Sequence, residues 1–340
     1  MKTFITGAAG FIGSQCAHRI YRDGKEIIML DNFSFGSEDN LIFEDADFRK
    51  DIVRGDIRDR ELITSIFRDN EIDYVYHFAG IAPLPENQIN PANAIHVNIE
   101  GFINVLEAGR LNGVKKTILA STAAIYENDQ VFPSKETDFE LPCLIYANTK
   151  YAAERFAQSY CDTYGMDIVC LRFSNVYGPH IDCLRKQPPF VGYAIRELFY
   201  NRVPVFHSNG QQKRDYVYVD DLLNLAMLVQ IGSGFDIVNV AANENYSVDE
   251  LYHIMARIMN KDIEPHYTDE SHYWKKYPEL YEGKYPIRNE VLIKEVNKYT
   301  LCDNLHAMQK YGWTIKTGIE EGLSKTIHFA IKELEKHNAK

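Results

Sequence analysis

A tyrosine and a lysine four residues apart, Tyr146 and Lys150, form the pair of side chains in this sequence best suited to proton transfer. They begin an apolar pattern typical of a helix, in which residues i and i+4 share one face. A lysine ammonium beside a tyrosine hydroxyl stabilises the phenolate, so the tyrosine can serve as acid and base near neutral pH. Tyr21 and Lys25 have the same spacing, but Gly24 interrupts them at a predicted helix end. The predicted helix that contains the pair, and not the spacing alone, therefore identifies Tyr146 rather than Tyr21 as the candidate acid and base.

A glycine-rich turn stands near the start of the chain. The run TGAAGFIG at residues 6–13 follows the apolar pair Phe4-Ile5 and precedes a helical pattern. Between a strand and a helix, such glycines permit a tight turn, close approach of the backbone to a pyrophosphate, and close packing of the helix. The free amides and the dipole at the helix N-terminus favour the negative charge of phosphates. The sequence therefore predicts a dinucleotide-binding site.

A carboxylate stands where such a site needs one. Asp31 ends a second apolar run, about 20 residues after the glycines, and there it can accept hydrogen bonds from both ribose hydroxyls of an adenosine. It would repel a 2′-phosphate, and residues 32–34 offer no arginine to bind one, so NAD is favoured over NADP. A strand-end aspartate that caps a turn is the alternative.

The elements that must position these residues alternate along the first half of the chain. Short apolar runs followed by helical patterns predict an α/β fold of the Rossmann type, with a doubly wound parallel sheet. The continuous run at 74–79 is typical of a strand buried on both faces, and we expect His77 within it to be a core residue. Ser121 and Thr122 follow the next predicted strand, at the sheet edge where such folds bind ligands. The pair Asp56-Ile57 after another short strand could hold an adenine, or form an ordinary turn.

Composition restricts the class of protein. The 340 residues have a net charge of -11 and a hydrophobic fraction of 45%, which indicate a globular protein and argue against nucleic acid or an anionic membrane as its partner. The six cysteines are scattered without a C-x-x-C pair, so neither a zinc site nor a disulfide framework is predicted. The chain passes from Met1 directly into a strand pattern and has no apolar run of membrane-spanning length, so we expect a cytoplasmic protein.

The alternation of predicted strands and helices is less regular in the second half of the chain. We predict a dinucleotide-binding domain at 1–175 and a smaller, interleaved α/β substrate-binding domain at 176–340 that includes a strand at 237–240. Arg214 in the second half could hold a diphosphate, and a salt bridge with Asp215 or Asp220 is the alternative. An aromatic-rich segment, 266–286, could stack on a sugar or a base, or could equally pack against its own domain.

Taken in order, these stretches resemble the extended short-chain dehydrogenase/reductase family. The resemblance is to its NAD-dependent nucleotide-sugar epimerase/dehydratase branch, and within that to the UDP-sugar 4-epimerase type. The matching residues cover nearly the whole chain: 6–13, Asp31, 56–57, 77–80, Asn98, 121–122, Tyr146 with Lys150, 172–179 and 214–216.

The resemblance implies specific roles for these residues. Tyr146 would take a proton from a sugar hydroxyl, commonly at C4, while Thr122 shares a hydrogen bond with the same oxygen and Lys150 lowers the pKa of the tyrosine. A tightly held NAD, recycled in each turnover, would be bound by Gly7, Gly10, Phe11, Ile12, Gly13, Asp31, Asn32, Asp56, Ile57, Phe78, Ala79, Gly80, Asn98, Tyr146, Lys150 and Phe173. The substrate would be bound by Thr122, Asn175, Val205, Arg214 and Lys294, the last standing where 4-epimerases place an arginine on the second phosphate. No metal is implied.

This sequence departs from the family pattern at a position that distinguishes the dehydratases of the family from its epimerases. In the dehydratases of this branch an acidic residue follows the catalytic threonine, whereas residues 123 and 124 here are alanines. Elimination of water needs an acid and a base beside C5 and C6, which alanine cannot supply, although Glu86 or Glu127 could. We therefore favour 4-epimerisation of an NDP-hexose or NDP-uronic acid over 4,6-dehydration and over net oxidation or reduction. A non-catalytic NAD-binding sensor or scaffold is the alternative of another class.

The resemblance also implies a homodimer. The predicted helices at 91–110 and 146–164 correspond to the pair that forms a four-helix interface in this family. The first has more apolar positions than one buried face can use, so we expect part of it to contact a second subunit.

Overall fold

The computed structural model describes residues 1–137, 139–186 and 188–338. Its strands are β1 Lys2–Thr6, β2 Glu26–Asp31, β3 Ile52–Arg54, β4 Tyr74–His77, β5 Lys116–Thr122, β6 Ile168–Phe173, β7 Asn175–Tyr177, β8 Val205–Phe206, β9 Lys213–Tyr218, β10 Phe235–Val240, β11 Asn245–Ser247 and β12 His266–Tyr267. Its α-helices are α1 Phe11–Arg22, α2 Arg60–Arg68, α3 Leu84–Ile89, α4 Pro91–Ile95, α5 Phe102–Leu111, α6 Ile145–Tyr164, α7 Phe190–Phe199, α8 Val219–Leu228, α9 Val248–Ile258, α10 Ser271–Trp274, α11 Asn289–Asn297, α12 Leu305–Tyr311 and α13 Ile319–Asn338.

Seven strands form a parallel sheet in the order β10-β6-β5-β4-β1-β2-β3, so the predicted Rossmann-type fold is confirmed. Every residue of β5 and β6 is buried, because helices cover both faces of the sheet. The chain leaves β1 towards β2 on one side, while β4 lies on the other. Ligands bind at such a switch point, beyond the carboxyl ends of the strands, and the glycine turn lies there.

The second half of the chain returns to this sheet. We expected the strand at 237–240 to belong to the smaller domain, but β10 pairs with β6 in the central sheet, with Val240 opposite Phe173. That prediction was wrong because a short apolar run fits either sheet, and only long-range pairing decides which. The smaller part is built around the sheet β11-β9-β7 and the pair β12-β8.

The predicted helix at 91–110 is interrupted. It consists of α4, a π-helical turn from His96 to Gly101, and α5. Gly101 packs so closely that a Cβ there would lie 2.5 Å from Cδ1 of Ile57, which belongs to the predicted adenine-binding pair in the loop after β3. Single π-helical turns often occur at functional sites, and this one carries Asn98. Among the helices of the described residues, none combines the length and apolar character needed to cross a bilayer.

Candidate active site

The glycine turn between β1 and α1 leaves no room for larger residues. Gly7 has φ of 69°, and a Cβ on it would lie 2.6 Å from the backbone nitrogen of Ala79 after β4. A Cβ on Gly13 would lie 2.1 Å from the carbonyl oxygen of Gly7. No side chain caps the start of α1 at Gly10, so its first amides remain available to an anion. The turn therefore fits a dinucleotide diphosphate.

Asp31 lies at the carboxyl end of β2, next to this turn. Its Oδ2 accepts a hydrogen bond from the backbone nitrogen of Ala9 at 2.9 Å, and its Oδ1 accepts one from Phe33 at 2.7 Å. Burial raises the pKa of the Asp31 carboxyl, and these two amides oppose that rise. Each carboxylate oxygen can accept a second hydrogen bond, so the turn-capping alternative and ribose binding are compatible.

A cavity of about 400 Å³ opens beside Asp31. It runs past the glycine turn and the ends of β2 and β4, and α3 lines it on another side. Eight of the predicted cofactor residues line it: Gly7, Gly10, Asp31, Asn32, Ile57, Phe78, Ala79 and Gly80.

Two residues predicted to contact the cofactor, Asp56 and Asn98, form hydrogen bonds within the protein. Asp56 accepts hydrogen bonds from Arg58 at 2.7 and 2.9 Å, and these hold the pKa of its carboxyl at about 2. Asn98 is buried, and its Oδ1 accepts a hydrogen bond from the backbone nitrogen of Ile81 at 2.7 Å. Its Nδ2 donates to Oγ1 of Thr149 at 3.0 Å. Asn98 thus joins the loop after β4 to α6.

A second cavity, of about 480 Å³, brings the catalytic candidates to the same turn. It shares Gly7, Gly10, Phe78 and Gly80 with the first cavity. The predicted residues that it adds come from α1, β5, α6 and β6: Phe11, Ile12, Gly13, Thr122, Tyr146, Lys150 and Phe173. A ligand that spans both cavities would reach from Asp31 to Tyr146.

The side chains of Tyr146 and Thr122 line this cavity together. Burial raises the pKa of the Tyr146 phenol, and a hydrogen bond with Thr122 partly offsets that rise. Lys150 Nζ donates to the carbonyl oxygen of Ala120 at 3.0 Å, and the lowering of the tyrosine pKa by Lys150 that we expected stays a prediction. Burial lowers the pKa of Lys150 to about 8. A Cβ on Gly80 would lie 3.2 Å from this ammonium, so only a small residue leaves space there.

A third cavity, of about 390 Å³, collects three of the predicted substrate residues, Asn175, Val205 and Arg214. Arg214 Nη2 donates to the backbone carbonyls of Glu295 at 3.3 Å and Val296 at 3.1 Å. Burial lowers the pKa of the Arg214 guanidinium. A half-buried cation that is held by carbonyl oxygens at the wall of a cavity fits an anionic ligand.

The alternative salt bridge of Arg214 with Asp215 is not formed. The Asp215 carboxylate accepts hydrogen bonds from the backbone nitrogens of Ala242 at 2.9 Å and Asn243 at 3.2 Å. Successive residues of a strand point to opposite faces, and β9 therefore separates the two side chains.

Lys294 lies apart from this cavity. Its Nζ donates to Oδ1 of Asn128 at 2.6 Å, in a small cleft that Glu127 also lines. The cavity with Arg214 is lined by the next two residues of α11, Glu295 and Val296. Neighbouring residues on a helix point about 100° apart, so the register of α11 directs Lys294 elsewhere.

Aromatic residues of the segment 266–286 pack in a buried cluster and also line the cavity with Arg214. Trp274 is 1% exposed, and its Nε1 donates to the carbonyl oxygen of Leu292 at 3.2 Å. Trp274 and Tyr277 form a cluster with Leu280 and Leu292, and both also line the cavity with Arg214. The aromatic residues of α7 that line it, Phe190 and Tyr193, were missed, because at sequence level they only continue an apolar helix pattern.

Comparisons with known proteins agree with this geometry. Residues 3–241 match the model of the NAD dependent epimerase/dehydratase family. A UDP-glucose 4-epimerase of Mycolicibacterium smegmatis is 28% identical, with 97% of this chain and 98% of that protein covered. A dTDP-D-glucose 4,6-dehydratase of Mus musculus is 29% identical, with 100% and 90% covered.

The three-dimensional comparison points the same way. The crystal structure of UDP-glucose 4-epimerase with UDP-glucose from Thermotoga maritima has a TM-score of 0.86 and 29% identity. It covers 98% of this chain and 100% of its own. The glycine turn, Asp31 and the shared cavity fit NAD, and the family match spans well over half of the sequence. The chain therefore belongs to the NAD-dependent epimerase/dehydratase family.

Proposed function

We propose that this protein is an NAD-dependent nucleotide-sugar 4-epimerase that inverts C4 of a UDP-hexose or UDP-uronic acid through a 4-keto sugar. The observation that carries the proposal is the lack of an acid beside Thr122. Ala123 is buried and packs with Tyr126, Ala241 and Cys302, so its place cannot hold a charged side chain without repacking that cluster.

The two carboxylates that could have replaced the missing acid have other places. Glu127 Oε1 accepts hydrogen bonds from the backbone nitrogens of Cys143 at 2.5 Å and Leu144 at 2.7 Å, so it fixes the chain before α6. Glu86 lines the cavity beside Asp31 and not the one with Tyr146. Neither carboxylate lines the cavity with Tyr146.

The acids that do line the cavity with Tyr146 come from other elements. Asp182 accepts hydrogen bonds from the backbone nitrogens of Leu184 and Arg185, and Glu333 is on α13 near the end of the chain. Asp39 belongs to the turn after β2. Epimerisation needs no acid at C5 or C6.

The residues then have the following roles. Tyr146 takes the proton of the C4 hydroxyl and later returns it to the keto oxygen, with Thr122 donating a hydrogen bond to the same oxygen. NAD supplies a hydride acceptor and donor at C4. The Lys150 ammonium adds positive charge where negative charge develops on the phenol. Arg214 and Asn175 hold the diphosphate, and the wall of Val205, Trp274 and Tyr277 holds the base.

Two further expectations belong to the same proposal. We propose a homodimer formed by α4, α5 and α6 of each subunit, since Ile95 and Phe156 expose 46% and 45% of their surface on these helices. We also propose a cytoplasmic location, which is supported by the six cysteines, all of them free thiols.

Proton NMR of nucleotide sugars tests the reaction. UDP-, GDP-, CDP- and dTDP-sugars are incubated with the pure protein and no added cofactor. We expect anomeric and ring signals of the C4 epimer from a UDP-sugar. A deoxy-methyl signal would show dehydration, the activity of the mouse relative, and would contradict the role given to Ala123. Release of NADH in proportion to product would show net oxidation instead, and unchanged spectra throughout would leave the epimerase proposal without support.

A further inference from the structure

A buried ion pair lies directly behind the catalytic candidates. Arg172 on β6 and Glu154 on α6 are each 1% exposed. Arg172 Nη2 donates to Glu154 Oε2 at 2.7 Å, and Nε donates to Oε1 at 2.9 Å. Moving two charges out of water costs several kcal/mol per ion, so a buried pair is weak evidence for a gain in stability. The position of this pair indicates another role.

The pair joins three elements of the site. Glu154 lies one helical turn after Lys150 and on the same face of α6. Ser121 Oγ donates to Glu154 Oε1 at 2.5 Å, and Ser121 directly precedes Thr122 on β5. Arg172 is the residue opposite Ser121 in the register of β5 and β6. The carboxylate of Glu154 is therefore bound to both strands that border the catalytic cavity.

Arg172 is fixed from its other side. Its Nη1 donates to the hydroxyl of Tyr126 at 2.8 Å, and that hydroxyl donates to Oδ1 of Asn239 at 2.6 Å. The guanidinium also lies 4.6 Å from the ring centroid of Phe139. Because its guanidinium is held on both sides, Arg172 keeps the Glu154 carboxylate in one orientation.

The charge of Glu154 acts on Lys150. Burial lowers the pKa of Lys150 to about 8, and Glu154 opposes that fall. Three further groups near Lys150 are uncharged at neutral pH: burial raises the pKa of the Cys170 thiol and of the Tyr146 phenol, and lowers the pKa of His77 to about 3. Arg172, the charged group behind them, is a cation and is paired with Glu154. Among the described residues that act on Lys150, Glu154 is thus the anion that favours its ammonium form.

We propose that Glu154, held by Arg172 and Ser121, is a positioning residue that keeps Lys150 protonated in the cavity it shares with Tyr146. The inference rests on the role that the proposed function gives to Lys150. Glu154 itself touches neither cofactor nor substrate and acts only through the lysine.

Titration of Lys150 by NMR tests the link without any substrate. Protein labelled with ¹³Cε-lysine is titrated, and the Lys150→Met protein identifies the Lys150 signal. In Glu154→Gln we expect the midpoint of the Lys150 titration to move at least about one pH unit lower. The double variant Glu154→Gln/Arg172→Met removes both charges, avoids an unpaired buried arginine, and should show the same direction.

Two control variants separate charge from packing. Ser121→Ala loses the hydrogen bond but keeps both charges, and Glu154→Asp keeps the anion, so both should titrate within a few tenths of a pH unit of the wild type. A wild-type midpoint in a folded double variant would overturn the proposal, as would an equal shift in Ser121→Ala.

The pH dependence of turnover distinguishes this inference from the proposed function. Loss of the ammonium occurs as pH rises through its pKa, so the alkaline limb of the turnover profile should move to lower pH in Glu154→Gln. An NMR shift without a shift of this limb would keep the electrostatic link and contradict the role assigned to Lys150 in the reaction.

Discussion

The phenol of Tyr146 lies where burial and hydrogen bonding act on its pKa in opposite directions. Burial raises that pKa, and the hydrogen bond with Thr122 opposes the rise. The phenol therefore stays protonated at neutral pH until positive charge is brought beside it. At the scale of single residues, the proposed chemistry depends on this one hydroxyl and its partner Thr122.

Replacement of Tyr146 by phenylalanine should remove the proton acceptor and keep the ring. We expect turnover to fall by about 10²- to 10⁴-fold, the usual contribution of a positioned acid or base, while bound NAD is retained. Measurements are the rate of epimer formation and the NAD content of the purified protein.

Tyr21→Phe is the matched control, because Tyr21 has the same spacing to a lysine but is 48% exposed on α1, away from the cavities. Its turnover should equal that of the wild type. Full activity in Tyr146→Phe would refute the mechanism.

His77 is buried at the end of β4, and its Nδ1 lies 3.0 Å from Oγ1 of Thr6, as expected of a core residue. Burial lowers the pKa of His77 to about 3, against about 6.5 in an unfolded chain. The folded state binds fewer protons, so this contribution to stability is complete above pH 6.5 and is lost as pH falls below it.

His77→Asn keeps a polar atom near the position of Nδ1 but cannot take up this proton. Between pH 7.5 and pH 5, the wild type should lose about 2 kcal/mol more unfolding free energy than the variant does. Urea unfolding at the two pH values measures the difference. Parallel losses in the two proteins would contradict the assignment of a buried neutral histidine.

At the scale of elements, cofactor binding depends on how closely the turn between β1 and α1 packs. Gly7 packs on the chain after β4, and Gly13 packs on Gly7, so strand, turn and helix form one close contact. Any outward movement of α1 would carry its first amides away from the diphosphate that the turn fits.

Gly13→Ala tests this contact, since the added methyl would lie 2.1 Å from the Gly7 oxygen. We expect a loss of about 1–3 kcal/mol in unfolding free energy and a large fall in bound NAD. Gly318→Ala, where a Cβ meets nothing within 4 Å, is the control and should differ from the wild type by less than about 0.5 kcal/mol. Normal NAD content in Gly13→Ala would show that the turn can shift without consequence.

At the scale of the whole molecule, the helices on one side of the sheet expose apolar side chains. Ile95 on α4 and Phe156 on α6 are about half exposed, although α4 and α6 pack on each other. Apolar side chains at these positions are consistent with a contact between two copies of the chain.

Glutamates at these positions should separate the proposed dimer. We expect light scattering to give twice 39.2 kDa for the wild type and 39.2 kDa for Ile95→Glu/Phe156→Glu. Ile231→Glu adds the same charge at a 76% exposed residue after α8 and should leave the mass unchanged. An unchanged mass in the double variant would locate the interface elsewhere or show a monomer.

The sequence by itself determined the features that depend on near neighbours. The glycine turn, Asp31 at the end of its strand and the spacing of Tyr146 and Lys150 are local patterns, because one strand, turn or helix sets the relation of their residues. The parallel sheet followed from the alternation of apolar runs and helical patterns.

Only the tertiary structure decided the features that depend on distant contacts. The place of β10, the direction of Lys294 and the partners of Asn98 are set by pairing and helix register across the fold. The raised pKa of Tyr146 follows from burial, which no spacing reveals. The segment 266–286 could be assigned to the cavity wall only after the packing of Trp274 was known. Its aromatic residues contribute both to a buried cluster and to the lining of the cavity with Arg214.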